Sequence, residues 1–291
     1  MKITDCIGKK EFITIIEFLP PQYPNLDKLE GHVRSIQDYT QFISLTSKPG
    51  ALNSLYVAGL LELGRGIKTN FIPHITLREF GNSHEMVCSL IMASATAGID
   101  NLFVMSGDSF STNESVYNYT SELVKFISDM NEGTSPYLKK KVEPTNFCIG
   151  VVASQYRDRK TELRVLEAKK EAGAEYAILQ MCFDPHAPDE YSYKLFCEEL
   201  QNYLGCDFPV IAGIPIPDKS TIDFAEGSAE SDPIYMPEIV KKRILQSADD
   251  KLERIEIARE ILDYFRSKTD VPGVDIFSRG SVKLAKEVLK E

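Results

Sequence analysis

Polar side chains follow several apolar runs of this sequence, each at the point where the run meets a turn. The clearest example is residues 101–108, in which the apolar stretch Leu-Phe-Val-Met leads into Ser-Gly and then Asp108. Other runs of the same form end in Glu17, in Thr46, in His74 and Thr76, and in Gln180. In parallel α/β folds, ligands bind at the carboxyl ends of the strands. The pattern therefore predicts one pocket lined by these polar side chains.

Glu17 is the first candidate for proton chemistry. It follows an apolar stretch and precedes Phe18 and two prolines, so we expect its carboxyl group to lose solvation near a strand end. Desolvation favours the protonated form of a carboxyl group, which suits a proton donor near neutral pH. The alternative is a carboxylate at the rim of the fold with a lysine partner.

Asp108, His74 and Gln180 each have a functional and a structural interpretation. Asp108 follows Gly107 and could bind a cation or a polar ring, or it could cap the segment that follows. His74 lies among apolar residues without a second histidine nearby, which favours a buried core residue over a metal ligand. Gln180 ends an apolar run, where its buried amide must find partners, and ligand atoms are one source of them.

Composition and charge exclude several classes of protein. The 291 residues are 43% hydrophobic and 26% charged, which is compatible with one large globular domain. A net charge of −10 argues against a nucleic-acid partner, although a local basic pocket for a phosphate is compatible with it. The six cysteines form no CxxC pair and no metal-ligand spacing, so we expect buried thiols in a reducing compartment and no metal. Neither a secretory signal nor an apolar run of about 20 residues is found, and we expect a cytoplasmic protein without a membrane partner.

Common nucleotide-binding and hydrolase motifs are not found. The segment 59–68, GLLELGRGIK, contains glycines but lacks the GxGxxG spacing and does not follow a predicted strand. A Walker A sequence, a GxSxG motif and a Ser/His/Asp set are also missing. A Rossmann nucleotide domain is therefore not predicted.

Apolar runs and helically spaced segments alternate along the chain. Strands are predicted at 11–18, 42–46, 71–76, 101–106, 147–153, 176–181, 209–214 and 274–277. Helices are predicted at 25–39, 54–63, 83–97, 115–130, 162–172, 186–204, 237–268 in two pieces, and 281–290, with a polar loop at 217–235. Alternation of strands and helices indicates a parallel sheet, and eight such units in about 250–300 residues favour a closed barrel. The predicted fold class is α/β, with residues 1–291 forming a single-domain (β/α)8 TIM barrel.

Seven segments give the sequence a family resemblance. They are IEFLPP, ISLTSKPGA, IPHITL, NLFVMSGD, KKEAGAEYAILQMCFD, VIAGIPI and VPGVDIF. In this order and spacing the chain resembles the methylenetetrahydrofolate reductase family, the flavin-dependent TIM-barrel enzymes of one-carbon metabolism. The stretch 172–184 is the most specific of the matches.

The resemblance implies an activity and a cofactor. Members of the family bind FAD over the carboxyl ends of the strands, and NAD(P)H reduces this flavin. The hydride then passes to the one-carbon unit of a methylene-folate. We therefore expect a cytoplasmic oxidoreductase of methionine biosynthesis that uses FAD and NAD(P)H and acts on a folate or a related pterin.

Roles for individual residues also come from the resemblance. It implies that Glu17 is the general acid that opens the methylene bridge, that Asp108 tunes both flavin and folate, and that Gln180 contacts the pterin or the nicotinamide. It also implies that Lys169 faces the phosphate or ribose region of the flavin. The FAD-side residues that it implies are Thr46, His74, Ser106, Gly107, Asp108, Glu162 and Lys169.

The sequence departs from the family pattern mainly on the FAD side. Ser106 stands where the family has an arginine that helps to hold FAD, and a serine cannot supply that bidentate charge. The segment 152–160, VASQYRDRK, is shorter than the corresponding family loop and lacks its histidine and prolines. Ser-Lys-Pro-Gly at 47–50 replaces a Tyr-Gly-Ala turn, Val165 replaces an asparagine, and Asp-Ile-Phe at 275–277 replaces His-Phe-Tyr.

These departures leave alternatives open. FAD could bind weakly, FMN or another hydride carrier could replace it, or a partner subunit could supply the electrons. Arg157, Arg159 and Lys160 could replace the missing arginine, or they could form a solvated helix start. An alternative in another functional class is a binding protein: a reductase-like protein of a methyl-transfer system that binds a folate or methyl-pterin without FAD. Family members often assemble, so a homo-oligomer is compatible, and without a long carboxyl-terminal extension we expect no regulatory domain.

Overall fold

A closed parallel barrel forms the centre of this protein. The structure is a computed structural model that describes residues 1–20, 25–47, 53–64, 67, 69–77, 83–107, 116–227, 234–268, 270–278 and 280–290. Its strands are β1 (Ile13–Phe18), β2 (Phe42–Leu45), β3 (Asn70–Thr76), β4 (Asn101–Met105), β5 (Thr134–Ser135), β6 (Lys140–Lys141), β7 (Cys148–Ala153), β8 (Tyr176–Met181), β9 (Val210–Pro215) and β10 (Gly273–Phe277). Eight of them close in the order β1-β10-β9-β8-β7-β4-β3-β2, and β5 and β6 form a separate antiparallel pair. The predicted (β/α)8 barrel is confirmed.

Helices surround the barrel and connect its strands. They are α1 (Ile3–Gly8), α2 (Leu26–Ile36), α3 (Ser54–Gly64), α4 (His84–Thr96), α5 (Thr120–Asn131), α6 (Arg159–Glu171), α7 (Tyr193–Leu204), α8 (Lys219–Gly227), α9 (Glu238–Gln246), α10 (Asp250–Arg266) and α11 (Val282–Leu289). Each crossover between consecutive barrel strands contains at least one helix, as parallel neighbours require. None of the helices in the described ranges is long and apolar enough to cross a membrane.

Side chains of each barrel strand alternate between the barrel interior and the helix layer. In β1, Ile13 and Ile15 belong to the apolar cluster inside the barrel, whereas Ile16 and Phe18 pack under the helices. The interior apolar residues of the other strands are Phe42, Ile72, Phe103, Cys148, Tyr176, Ile178 and Ile211. Because the alternation has a period of two, these residues determine which later positions of each strand also face inward.

Helix α1 closes the amino-terminal end of the barrel, and the sequence-based prediction omits it. Ile3 and Cys6 are buried and join the interior cluster. The backbone N–H of Ile3 donates to Asn101 Oδ1 at 2.9 Å, and the Asn101 amide donates to the Met1 carbonyl oxygen at 2.9 Å. The helix has six residues, too few to show a helical period in the sequence.

The helix predicted at 186–204 is wrong at its beginning. Helix α7 begins at Tyr193, and only a single 3₁₀ turn, Asp189–Tyr191, precedes it. Ser192 caps α7, because its Oγ accepts the N–H of Leu195 at 3.3 Å. The helix therefore begins directly after Ser192, whose side chain satisfies one of the free N–H groups of its first turn.

Two further predicted boundaries differ from the structure. The helix predicted at 115–130 begins only at Thr120, because the Glu122 carboxylate accepts backbone N–H groups just before it and fixes the helix start there. The polar loop predicted at 217–235 contains α8. Polar helices with weak apolar spacing are easily taken for loops.

Candidate functional site

Several of the predicted polar residues meet at the carboxyl ends of the barrel strands. By the alternation of the strands, the inward-facing side chains at this end include Glu17, Ser44, His74, Thr76, Met105, Val152, Gln180, Asp275 and Phe277. The structure thus brings Glu17, His74 and Gln180 to one barrel mouth, although they are far apart in the sequence. Thr46 follows directly after β2 at the same end.

Glu17 is held at the rim through backbone contacts. Ser278 Oγ donates to the Glu17 carbonyl oxygen at 2.6 Å. The carbonyl oxygen of the next residue, Phe18, accepts the N–H of Thr46 at 3.0 Å. The Glu17 side chain is half-buried, between the core and the mouth of the barrel. This is the placement that a proton donor to a bound molecule requires.

His74 and Ser44 form a buried hydrogen-bonded pair inside the barrel. Ser44 Oγ and His74 Nε2 are 2.5 Å apart, and the His74 ring centroid lies 5.0 Å from that of Phe103. Burial lowers the pKa of His74 to about 3, so the ring is neutral at physiological pH. The ring has the burial of a core residue, and its contact with a cofactor stays a prediction, as does that of Thr46.

Gln180 lies at an irregularity in β8. Leu179 pairs with Ala212 and Met181 pairs with Gly213, so the register shifts at Gln180. The Gln180 side chain is half-buried, and its Oε1 accepts the N–H of Met181 at 3.1 Å. β-Bulges redirect side chains and are frequent beside active sites. The bulge lies at the barrel mouth, where alternation from Tyr176 and Ile178 also places this amide.

The chain turns sharply after β4. Gly107 has a φ of +80°, and a Cβ atom at this position would lie 2.9 Å from the Thr76 Cβ. Both observations require glycine here. Ser106 is exposed beside this turn. Asp108 lies outside the described residues, so its predicted roles stay predictions, as do the cofactor contacts of Ser106 and Gly107.

A groove of about 410 Å³ runs from the barrel mouth outward between α5 and α6. We call it the basic groove, because Arg157, Arg164 and Lys169 line it together with Ser106 and Val152. Val152 lies at the carboxyl end of β7, so the groove begins at the same end of the barrel. The first residues of α5 form another wall, and a helix N-terminus attracts anions. The groove can therefore hold an anionic group such as a phosphate.

Glu162 and Lys169 shape the wall of the basic groove. Glu162 is fully buried, and its carboxylate accepts the Ser154 N–H at 2.9 Å and an Arg157 N–H at 3.2 Å. Lys169 is also buried, and its Nζ donates to the Val152 carbonyl oxygen at 2.7 Å. In this arrangement Glu162 orients Arg157 and the segment around it. A direct contact of Glu162 or Lys169 with a cofactor stays a prediction.

The basic residues that the sequence groups together separate in the structure. Arg157 lines the basic groove, but Arg159 forms an ion pair with Glu199 at 2.8 Å and lies over the Phe196 ring. Lys160 is exposed at the start of α6. Of the three candidates for the missing arginine, Arg157 is therefore the one that lies where an anion could bind.

Arg164 also lines the basic groove, and the sequence-based prediction omits it. The spacing of residues along α6 could have predicted its position. Arg164 and Ala168, like Val165 and Lys169, are four residues apart and so lie on one face of α6. Once Lys169 is assigned to the groove, the same face brings Arg164 there.

A larger cavity of about 740 Å³ lies outside the barrel, beside the β5–β6 hairpin. Its walls come from α5, from the end of α6 and from residues such as Tyr117 and Tyr137. None of its lining residues belongs to a barrel strand. We therefore place the candidate site at the barrel mouth, where the polar groups converge, in spite of the smaller volume.

The site combines two kinds of side chain. One is the acid side, which we define as Glu17, Ser44, His74 and Asp275 on the inner faces of strands. The other is the basic groove. Together they can bind a molecule that carries a polar ring to be protonated and an anionic tail. Within the described residues, no group of three or more His, Cys, Asp or Glu side chains could hold a metal ion.

Comparisons with known proteins connect this site to a family. The sequence profile of the methylenetetrahydrofolate reductase family matches residues 2–290. A search of curated protein sequences finds no match. An uncharacterized protein from Clostridium thermocellum that binds two copies of 5-methyl-5,6,7,8-tetrahydrofolic acid has a similar structure, with a TM-score of 0.61 and 14% identity over 99% of each chain. A 2,3-dimethylmalate lyase of the PEP mutase/isocitrate lyase superfamily has a TM-score of 0.51 and 10% identity, over 97% of this chain and 80% of that chain. At these identities the structural matches establish the shared fold.

Proposed function

Since the chain belongs to the methylenetetrahydrofolate reductase family, we propose that it is a reductase of this type. It transfers a hydride from NAD(P)H, by way of a flavin, to a methylene-folate or a related pterin and so forms the methyl product. It acts in the cytoplasm, in the one-carbon metabolism that supplies methionine. The observation that carries the proposal is the carboxyl end of the barrel, where a half-buried glutamate on β1 and, across the barrel, a groove with three cationic side chains are found.

Glu17 supplies the proton in this reaction. Its carboxyl group protonates the bridging nitrogen of the methylene-folate, the carbon–nitrogen bond opens, and an iminium carbon results. The O–H bond of Glu17 breaks as the new N–H bond forms, so the substrate becomes cationic and Glu17 becomes a carboxylate. General acid catalysis of this kind contributes about 10²–10⁴-fold to a rate.

Gln180 orients the pterin ring. Its amide lies at the barrel mouth, beside the β8 bulge. An amide both donates and accepts hydrogen bonds, which suits the mixed donor and acceptor edge of a pterin. The neutral Ser44–His74 pair, on β2 and β3, lines the buried part of the barrel mouth. It adds no charge that would compete with Glu17.

The basic groove fits the diphosphate of FAD. Arg157, Arg164 and Lys169 provide three positive charges, and Glu162 offsets part of one of them through its ion pair with Arg157. Bound FAD supplies the hydride relay between the nicotinamide and the pterin. In this proposal Arg157 and Arg164 take over the anchoring for which the family uses an arginine at the position of Ser106.

The first test is the visible absorption spectrum of the purified protein, before and after incubation with FAD and desalting. We expect a retained flavin band. Anaerobic mixing with NADH or NADPH should then bleach the band, and methylenetetrahydrofolate should restore it. A protein that retains flavin but is not reoxidised by methylenetetrahydrofolate would contradict the proposed substrate.

A second candidate function is a folate- or methyl-pterin-binding protein of a methyl-transfer system that does not bind FAD. The replacement of the family arginine by Ser106 favours it, as does the Clostridium thermocellum protein, whose known ligand is a methyl-folate. Calorimetry with 5-methyltetrahydrofolate on flavin-free protein separates the two functions. Tight methyl-folate binding by a colourless protein that releases FAD on desalting would support the second function and contradict the first.

A further inference from the structure

The outer surface of α3 carries a stripe of exposed apolar side chains. Tyr56, Leu60 and Leu63 are 62%, 56% and 73% exposed. They are spaced by four and three residues, so they lie on one side of the helix. The opposite side of α3 is also apolar and packs into the core through residues such as Leu61. A helix that is apolar on all sides is normally buried, so the exposed stripe indicates a surface that another molecule covers.

A groove of about 310 Å³ runs beside this stripe, between α3 and α4. Small residues of both helices line it, namely Gly59, Ala93, Ser94 and Ala97. A Cβ atom at Gly59 would lie 3.4 Å from the Ala97 Cβ, so the two helices are close together here. Leu90 also lines the groove, and Met86, one turn before it on α4, is 50% exposed. We define the α3–α4 face as this groove together with Tyr56, Leu60, Leu63 and Met86.

The α3–α4 face is almost free of charge. The charged side chains that the structure describes on the two helices are those of Glu62 and Glu85. In α6, by contrast, more than half of the residues are charged. A nucleic acid or an anionic membrane would need basic side chains, and a charged peptide would need opposite charges, on this face. The distribution of charge therefore favours a partner whose own contact surface is apolar and uncharged.

We infer that the α3–α4 face is the contact surface of a homodimer, in which it packs against the same face of a second copy about a two-fold axis. A two-fold contact requires a surface that complements itself. This face carries both halves of such a contact, since the apolar ridge of α3 lies beside a groove lined by small residues. The ridge of each copy enters the groove of the other, and the small residues allow the helices to approach to about 8–10 Å.

The size of the face sets the expected strength of the dimer. Helix α3 has 11 residues and α4 has 13, so the face is about 16–20 Å long and about 20 Å wide. Two such faces bury at least about 700 Å² together, and the relief of the side chains adds to this area. Stable interfaces bury about 1,200–2,000 Å², and weak ones lie at or below the lower limit. We therefore expect a reversible dimer with a dissociation constant of about 1–100 µM.

The contact leaves the candidate site open, and the inference does not rest on the proposed function. None of the residues described as lining the groove belongs to a barrel strand. The basic groove lies elsewhere, between α5 and α6. A variant of the α3–α4 face such as Leu60→Glu should therefore bind FAD as the unmodified protein does. A failure of flavin binding in the unmodified protein would bear on the proposed function alone.

Sedimentation velocity of the full-length protein, at concentrations that span the expected dissociation constant, tests the inference. We expect the mass to rise with concentration from 32.7 kDa toward twice this value. Each copy has a net charge of −10, so added salt should screen their repulsion and increase the dimer fraction. A protein that stays monomeric throughout this range would overturn the inference.

Leu60→Glu is the decisive variant. Two-fold symmetry brings the new charge into the apolar contact twice, so we expect the dissociation constant to rise by at least about 100-fold. Leu245→Glu on α9 is the matched control, because Leu245 is 58% exposed and lies outside the α3–α4 face. The control should dimerise like the unmodified protein. A dimer that persists in Leu60→Glu, or equal weakening in both variants, would overturn the inference.

Two further measurements keep the outcome clear. Circular dichroism checks that Leu60→Glu is folded, and Leu63→Glu, at a still more exposed position of the stripe, replaces it if it is not. Flotation with phosphatidylcholine vesicles tests a lipid surface as the occupant. A monomeric protein that floats with the vesicles, and does so less after Leu60→Glu, would assign the face to a membrane and overturn the dimer. An assembly larger than a dimer that Leu60→Glu reduces in size would support the face as a contact between copies.

Discussion

The acid side and the basic groove are built in different ways. The acid side consists of residues on the inner faces of barrel strands, where neighbouring strands set each position. Residues of the basic groove come from the chain after β4, the segment after β7 and the outer part of α6. The departures from the family pattern fall mainly on the second region, whereas Glu17 and Gln180 match it. Strand positions are constrained by closure of the barrel, whereas a cation in a loop or helix can be replaced by another nearby.

The largest expected effect is at the centre of the acid side. Glu17→Gln keeps the size of the side chain but removes the proton, so it should lower the rate of folate reduction by about 10²–10⁴-fold. Flavin reduction by NAD(P)H should be nearly unchanged, because it does not use this proton. Anaerobic stopped-flow measurement of the two half-reactions checks this. Equal loss in both would show that Glu17 supports the pocket and is not the acid.

A smaller effect is expected in the basic groove. Arg164→Gln removes one positive charge from the groove and should weaken FAD binding by about 10–100-fold, the equivalent of one charge-assisted hydrogen bond of roughly 1.5–3 kcal/mol. Arg159→Gln is the matched control, because Arg159 pairs with Glu199 outside the groove. FAD titrations monitored by flavin fluorescence give both dissociation constants. Equal weakening in the two variants would mean that net charge, and not the groove, governs affinity.

His74 should give the acid side a characteristic dependence of stability on pH. Its pKa is about 3 in the folded protein and near 6.5 when unfolded, so the unfolded state binds more protons between these values. The contribution of the neutral His74 ring to the free energy of unfolding is complete above pH 6.5. It is lost as the pH falls below this value, by up to about 1.4 kcal/mol per pH unit. His74→Gln should therefore lose less stability than the unmodified protein between pH 7 and pH 5.

This comparison needs the variant, because other groups titrate in the same range. Burial raises the pKa of Asp184 to about 6, which favours the folded state at low pH and opposes the effect of His74. The difference between the two proteins cancels the contribution of Asp184. Denaturant unfolding at several pH values measures it, and parallel curves for the two proteins would contradict the assignment of a neutral, buried His74.

The smallest effect is expected from restoring the family residue in the basic groove. Ser106→Arg adds a fourth cation at an exposed position and should tighten FAD binding only about two- to fivefold, as exposed charge pairs contribute about 0.2–1 kcal/mol. The FAD titration above measures this as well. A much larger gain would indicate that Arg157 and Arg164 do not replace the missing arginine.

Much of the fold follows from local patterns in the sequence. The eight barrel strands and most of the helices are predicted correctly because apolar runs, helical spacing and turn residues act over a few positions. Local capping is less visible in the sequence. For that reason the helix start predicted at residue 186 is wrong, and α7 begins at Tyr193. Helix α1 is missed because its stabilisation comes from distant contacts such as the bond from Ile3 to Asn101.

The candidate site divides in the same manner. Apolar runs that end in Glu17, His74 and Gln180 predict which residues reach the barrel mouth, because the parity of a strand is a local property. The partners of these residues are not local. Asp275 lies beside Ile15, one inward-facing position from Glu17, only because β10 pairs with β1, and these strands lie at opposite ends of the sequence. Likewise, Arg157 separates from Arg159 because Arg157 pairs with the buried Glu162 and Arg159 pairs with the half-buried Glu199. Closure of the barrel and packing of the helices decide such pairings, since they depend on which distant surfaces come into contact.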